Sequence, residues 1–313
     1  MQTFLTPEPI TIEIRNAAGE IRVDLADVTT TTVDVVATAA HPFGFLDDVF
    51  RAVASKTQFA GDRKAFAGGG NRFGETSFDS DTGSTPDDPS ERVRVDLREA
   101  ANGEGTATLI VDTDPARDGW RSAFTVHVTA PVASGIRIQS QSANVTVTGS
   151  AEKLETRTAS GDVRVGDVVG RSVVQTASGD VIVSTTGECD LRTASGDIEV
   201  HSVAGEAVVH STSGDVRLDV TGGDVNARSV SGDVRALDVT AGRAEVITVS
   251  GDVEIGIHAG TLTAVDLSTV SGATDTDFQI RDDAPAEEED GPTLDLRVKT
   301  TSGNIRLRRS VAV

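Results

Sequence analysis

The side chains of this sequence that could do chemistry recur in one tripeptide. Ser-Gly-Asp occurs six times, and its serines are 18, 17, 18, 18 and 19 residues apart. A series of carboxylates at this spacing could bind cations, act as general acid and base, or accept hydrogen bonds from backbone amides at a turn. The residues are Ser160, Gly161, Asp162, Ser178, Gly179, Asp180, Ser195, Gly196, Asp197, Ser213, Gly214, Asp215, Ser231, Gly232, Asp233, Ser250, Gly251 and Asp252.

The repetition itself argues for a structural role of these corners. A catalytic serine is needed once, whereas this serine returns in every unit. Calcium-binding solenoids repeat a Gly-Gly-x-Gly-x-Asp nonapeptide, so a backbone-capping carboxylate is favoured over a calcium ladder. The five histidines lack metal-ligand spacing, and the single cysteine, Cys189, excludes an internal disulfide and the usual thiolate zinc site. We therefore expect no catalytic residue, no metal and no cofactor.

The residues around each corner predict two short strands. Apolar side chains alternate at period two on both sides of Ser-Gly-Asp, and a second glycine follows about nine or ten residues later. Two strands and two turns in a unit of about 18 residues predict an all-β fold, a single-stranded parallel β-solenoid (β-helix) in which equivalent corners stack. An antiparallel meander is the rival topology.

The repeat divides the chain into two parts. Nine units, some degenerate, cover residues 132–313 and include an acidic loop at 281–292. Residues 1–131 are expected to form an N-terminal β cap or the first coils. Within them, the insertion 41–91 predicts a short helix followed by a mobile Gly/Asp-rich loop. The phenylalanines of this insertion either belong to a helix that caps the solenoid or form a partner-binding strip; the strip would comprise Phe43, Phe45, Phe50, Phe59 and Phe66.

Three further columns flank the corners, one of hydroxyls and two of cations. A hydroxyl column with inward parity, from Ser140 and Thr158 to Thr300, is expected to satisfy buried corner groups. Outward cations lie on both faces: Arg157, Arg192, Arg228 and Lys299 on one, and Arg164, Arg217, Arg235 and Arg306 on the other. These cations form either solvated cross-coil salt links or a guanidinium-lined flank for an acidic partner or polysaccharide.

Charge and hydropathy restrict the partners. The formal net charge of -21 argues against nucleic acid and anionic membranes. No stretch has the length of apolar sequence that a membrane span needs. The start, Met1 to Pro9, has neither a basic region nor an apolar run. A cytoplasmic location is therefore expected, with surface export left open.

The repeat unit resembles a known family. Thr158-Ala-Ser-Gly-Asp-Val-Arg-Val and Thr176-Ala-Ser-Gly-Asp-Val-Ile-Val are similar to the repeats of a bacterial β-strand-repeat family of unknown function, catalogued as putative adhesins. The resemblance extends over nearly the whole chain apart from 41–91 and 281–292, and it brings no catalytic residues with it.

Together, these observations predict a non-enzymatic β-solenoid scaffold or adhesin-like binding protein whose ligand, a protein or a glycan, is unknown. The alternative is a carbohydrate-active β-helix enzyme, a polysaccharide lyase or hydrolase that uses the corner carboxylates as acid and base.

Overall fold

The protein folds into strands alone over the residues that its computed structural model describes, 1–39, 93–99, 106–113, 122–278 and 291–310. The predicted all-β class is thus confirmed. The strands are β1 (Gln2–Leu5), β2 (Thr11–Ala26), β3 (Thr30–Ala39), β4 (Val93–Arg98), β5 (Thr108–Thr113), β6 (Ser122–Pro131), β7 (Gly135–Ala151), β8 (Lys153–Ser160), β9 (Val163–Ser178), β10 (Val181–Ser195), β11 (Ile198–Val203), β12 (Ala207–Ser213), β13 (Val216–Thr221), β14 (Val225–Ser231), β15 (Val234–Val239), β16 (Gly242–Ser250), β17 (Val253–Ile257), β18 (Leu262–Ser271), β19 (Thr274–Thr276), β20 (Thr293–Ser302) and β21 (Ile305–Arg309).

Two predicted features lie outside these ranges. The insertion 41–91, with its expected helix, mobile loop and candidate partner-binding strip, falls in the undescribed part of the chain. Of the acidic loop 281–292, only Gly291 and Pro292 are described.

The repeats stack as parallel strands. From β7 to β21, every pairing among the described strands is parallel, which excludes the meander for this part of the chain. Residues with the same place in the repeat face one another, as Val163 faces Val181 and Val181 faces Ile198. The sheet is therefore solenoid-like, with each coil hydrogen-bonded to its neighbours.

The core consists of the predicted apolar columns. Val163, Val181, Val216 and Val234 on the strand after the corner are fully buried. On the strand before the corner, Leu191 is equally buried. Because side chains of a strand alternate between its two faces, burying these columns leaves the residues between them on the outer faces.

The N-terminal strands depart from the simple stack. β2 lies between β7 on one side and β5 with β6 on the other, and all of these pairings are parallel. β4 then adds to β5, β3 to β6 and β1 to β3, each antiparallel. The first long strand of the chain is thus enclosed by strands that follow it in sequence.

In the C-terminal coils, too, the order of the strands in space differs from their order in sequence. β20 pairs with β16 and with β18, and β21 pairs with β17 and with β19. The last coil in sequence, β20–β21, therefore lies between β16–β17 and β18–β19. The 31-residue step from Ser271 to Ser302 carries the chain back into the stack, so the order of coils in space differs from their order in sequence. β18–β19 becomes the outermost coil, and we call it the end coil.

Candidate functional site

Each corner glycine meets the corner of the neighbouring coil. Gly196, between β10 and β11, has a φ of +137°, in the region that favours glycine. A Cβ at this position would overlap the carbonyl oxygen of Gly179 in the adjacent coil. Glycine is therefore needed both for the turn and for the close approach of the next corner.

The corner aspartates form a hydrogen-bonded ladder along the stack. The backbone N–H of Asp215 donates to Asp197 Oδ1 at 2.8 Å, and that of Asp233 donates to Asp215 Oδ1 at 2.9 Å. Equivalent bonds link every corner from Asn144 to Asn304. The bond from Asn304 lowers the pKa of the Asp252 carboxyl. This geometry is that of a backbone-capping carboxylate.

The hydroxyl column satisfies corner carbonyls in only part of the stack. Thr158 Oγ1 donates to the Ser160 carbonyl at 2.9 Å, and Thr176 Oγ1 donates to the Ser178 carbonyl at 3.2 Å. Four central hydroxyls are buried without a hydrogen-bond partner among the described residues: Thr193, Ser211, Ser229 and Thr248. The prediction for this column is therefore wrong for these four coils, where the hydroxyls do not reach the corner groups.

Acidic and basic side chains are interleaved on the face formed by the strands after the corner. Glu199, His201 and Asp219 bring one potential metal-ligand atom each within 4.8 Å of one another. However, Arg217 Nε lies 2.8 Å from Asp219 Oδ1 and 3.6 Å from Glu199 Oε1. Because this guanidinium contacts both carboxylates, the cluster is explained as a surface ion-pair network.

The opposite face carries a register-matched series of cations, which we call the basic column. Its members are Arg15, Arg157, Arg192, Arg228 and Lys299. The sequence groups the last four by their place in the repeat. Arg15 was missed because it joins them only through the register of β2 with β7. The corner motif gave no signal for that pairing.

Three arginines of the basic column pair with carboxylates two residues earlier in the repeat. Arg157 Nη2 lies 2.9 Å from Glu155 Oε1, and Arg192 Nε lies 3.0 Å from Asp190 Oδ1. Arg228 makes a longer contact, 3.7 Å, to Glu245. Of these salt links only that of Arg228 joins two coils, as predicted for cross-coil links; the arginine side chains remain about half exposed, and their role in binding an acidic partner stays a prediction.

A groove of about 300 Å³ runs beside the basic column. It crosses three coils and is lined by Arg157, Thr158, Gln175, Thr176, Arg192 and Thr193. The next outward position in these three coils is exposed alanine, at 159, 177 and 194. The long polar side chains at 157, 175 and 192 thus have only methyl groups as their outward neighbours on the corner side.

The single thiol plays no part in either face. Cys189 is 2 % exposed within the core. Burial raises the pKa of its thiol to about 12. A thiol of this kind is unreactive at neutral pH.

Two solved structures are aligned with this chain over nearly the full length of both proteins. A crystal structure of a putative adhesin from Bacteroides fragilis has 11% identity, a TM-score of 0.40, and coverage of 98% of this chain and 95% of that one. A putative cell adhesion protein from Clostridium sporogenes has 5% identity, a TM-score of 0.25 and coverage of 98% of both chains. No curated protein matches the sequence.

The described residues include no helix that is long and apolar enough to cross a membrane.

The decisive match is to a family model, Toastrack DUF4097, which covers residues 119–308 and hence the corner ladder and four of the five cations of the basic column. This chain belongs to the Toastrack DUF4097 family.

Proposed function

We propose that the protein is a non-enzymatic, adhesin-like β-solenoid scaffold that binds its ligand on an outer face. The observation that carries this proposal is the equivalence of the corners. From Asp162 to Asp252, each corner carboxylate accepts the backbone N–H of the next corner. A catalytic pair requires two carboxyl groups in different environments. A ladder of identical contacts instead supports a mechanical role.

The enzyme alternative fits the corner chemistry poorly. A general acid in glycoside cleavage needs a carboxyl whose pKa is raised. At Asp252 the shift has the opposite direction, because the backbone N–H of Asn304 donates to the carboxylate at 2.7 Å. The side-chain amide of Asn304 and the charges of Arg306 and Arg235 act in the same direction. Such a carboxylate stays ionised and accepts hydrogen bonds.

The proposal includes an architecture. Coils of about 18 residues form the solenoid over 132–313, and residues 1–131 form a cap or the first coils at the end opposite the end coil. Residues that face each other in neighbouring strands are 17 to 19 positions apart in the sequence, which supports the coil size. The antiparallel additions of β1, β3 and β4 support the cap. The expected cytoplasmic location and the partner-binding strip of the insertion 41–91 stay predictions.

A degradation assay tests the non-enzymatic proposal. The purified chain is incubated with acidic and neutral polysaccharides, and the products are analysed by size-exclusion chromatography and by absorbance of unsaturated sugar ends. We expect no shortening of any polymer. If shortening occurs, Asp197→Asn and Asp233→Asn are compared. Loss of activity in one of these matched corner variants but not in the other would establish a catalytic corner and overturn the scaffold.

A further inference from the structure

Positive charge in the basic column returns in every second coil. Across the paired strands its five cations alternate with other residues. The aligned positions, all counted as the column below, read Arg15, Gln139, Arg157, Gln175, Arg192, His210, Arg228, Ile247, Lys299 and Ser268. Burial and the neighbouring charges of Arg192 and Arg228 lower the pKa of His210, so this member is mostly neutral at pH 7. Adjacent strands are about 4.8 Å apart, so the cations repeat at about 10 Å.

This column differs in charge from the chain as a whole. The sequence has 49 acidic and 28 basic residues, yet no acidic residue interrupts the column between β2 and β18. Repulsion between neighbouring cations explains why they alternate, but acidic residues between them would relieve that repulsion better than Gln139 and Gln175 do. Neutral amides add no negative charge to the column, so among the described residues the charge of its arginines is offset only by the carboxylates two residues earlier in the repeat.

The carboxylates that pair with the arginines leave the groove open. Glu155 and Asp190 precede Arg157 and Arg192 by two residues and so lie on the side away from the corner. The groove lies on the corner side. A guanidinium has five N–H donors, and exposed ion pairs are weak. The arginines can therefore keep these partners and still donate into the groove.

We propose that the basic column and its groove bind a linear acidic polysaccharide that carries one carboxylate in each disaccharide. Extended along the rod, such a polymer presents its anionic groups at about the interval of the cations. Hydroxyl groups between them face Gln139, Gln175 and the small residues of the groove. The proposal rests on the proposed function, since it assigns a ligand class to one face of the scaffold.

Other polyanions match the column less well. Side chains on one face of an extended peptide repeat at about 6.7 Å, so acidic residues of a bound strand would fall out of step with the cations. Nucleic acid carries a denser line of charge and would be repelled by the net charge of -21. The interval and the overall charge together favour a sparsely charged polysaccharide.

The test measures binding of fluorescently labelled hyaluronan oligosaccharides, which alternate acidic and neutral sugars, by anisotropy. The variant Arg157→Gln/Arg192→Gln/Arg228→Gln introduces the amide that the column already has elsewhere. We expect binding by the unchanged chain and about tenfold weaker binding by this variant, since three ion pairs are lost. Thermal melts establish that the variant is folded.

The matched control removes three arginines from the opposite face, as Arg164→Gln/Arg217→Gln/Arg235→Gln. Its net charge equals that of the first variant, and we expect affinity within about twofold of the unchanged chain. Equal weakening by both variants would show a general charge effect and overturn the proposal.

The choice of probe tests the spacing. Polygalacturonate carries a carboxylate on every sugar and polyglutamate is an acidic peptide; either one binding more tightly than hyaluronan would overturn the proposal. So would absence of binding to hyaluronan. Each of these results leaves the scaffold intact, whereas shortening of the polymer by the unchanged chain would overturn the non-enzymatic function itself.

Discussion

The central coils and the end coil follow the same repeat but differ in burial. In the neighbouring coil Leu296 is 0% exposed, whereas Val265, at the same position of the end coil, is 36% exposed. At the outward position before the corner, Val270 of the end coil is 81% exposed, against 48% for Val249 in a central coil. Both coils have apolar inward columns and a Ser-Gly corner. The pattern of the sequence therefore decides how a coil folds, and its neighbours decide how much of its surface is buried.

The placement of the terminal strands follows from this difference. A coil at the end of a stack has one neighbour and opens at low cost in free energy. In this protein β2 and β20–β21, which lie near the termini of the chain, each have neighbours on both sides. Fraying of these strands would require the separation of two ladders, whereas the end coil is held by a single ladder.

The largest effect should come from adding a methyl group at a central corner. Gly196→Ala combines an unfavourable φ with overlap of the Gly179 carbonyl, and we expect the free energy of unfolding to fall by about 4 kcal/mol or more. Gly260→Ala is the matched control, because Gly260 has a φ of +89° and no atom within 4 Å of the added Cβ. That control should cost about 1 kcal/mol. Urea unfolding measures both.

Similar losses at the two glycines would contradict this account. They would mean that backbone strain alone determines the cost, and that corners of adjacent coils do not press on each other in the central stack.

A smaller effect should come from truncating apolar side chains in adjacent coils. Leu296→Ala removes a fully buried side chain in β20 and should lower the free energy of unfolding by about 3 kcal/mol. Leu267→Ala, in the end coil, removes a side chain that is only partly buried and should cost about 1 kcal/mol. Thermal unfolding of both variants checks the ratio, and a larger loss at Leu267 would contradict the assignment of the end coil.

Much of the stack could be predicted from sequence because its signals are local. The alternation around Val163 and Val181, the corner glycines and the recurring aspartates all lie within one unit, and stacking follows from their repetition. Family membership was predicted from the same motif.

The reversals at the two ends could not be predicted in this way. The repeats of β18 and β20 carry similar columns, so either could pair with β16 by pattern alone. Arg15 was missed for the same reason, since its place in the basic column requires the pairing of β2 with β7.

A corner aspartate should contribute less than a corner glycine. Asp215→Ala removes the acceptor for the Asp233 N–H and a contact with Arg235, and should cost about 1 kcal/mol. Asp215→Asn should be nearly neutral, because Asn144 and Asn304 fill the same role elsewhere in the ladder. Ala273→Asp in the end coil should give no gain, since no described strand pairs with the outer edge of this coil. Chemical unfolding of the three variants tests this, and equal losses for Asn and Ala would show that charge outweighs the hydrogen bond.

The smallest effect should be a dependence of stability on pH at Asp252, near the boundary between the central coils and the end coil. Asp252 accepts the N–H of Asn304, and that bond, with smaller effects of Asn304's side chain, Arg306 and Arg235, lowers the pKa of its carboxyl in the folded state. A carboxyl with a lowered folded pKa stabilises the fold above its unfolded pKa, which is about 4. That contribution is lost as the pH falls through the pKa of the folded state.

Asp252→Asn has no carboxyl to titrate, so the difference in free energy of unfolding between the unchanged chain and this variant should be constant from pH 7 to about pH 5 and shrink below about pH 4. Urea unfolding over this pH range measures the difference. A difference that stays constant down to about pH 2 would show that the carboxyl has the same pKa in both states, and that the hydrogen bond from the neighbouring coil does not stabilise its charge.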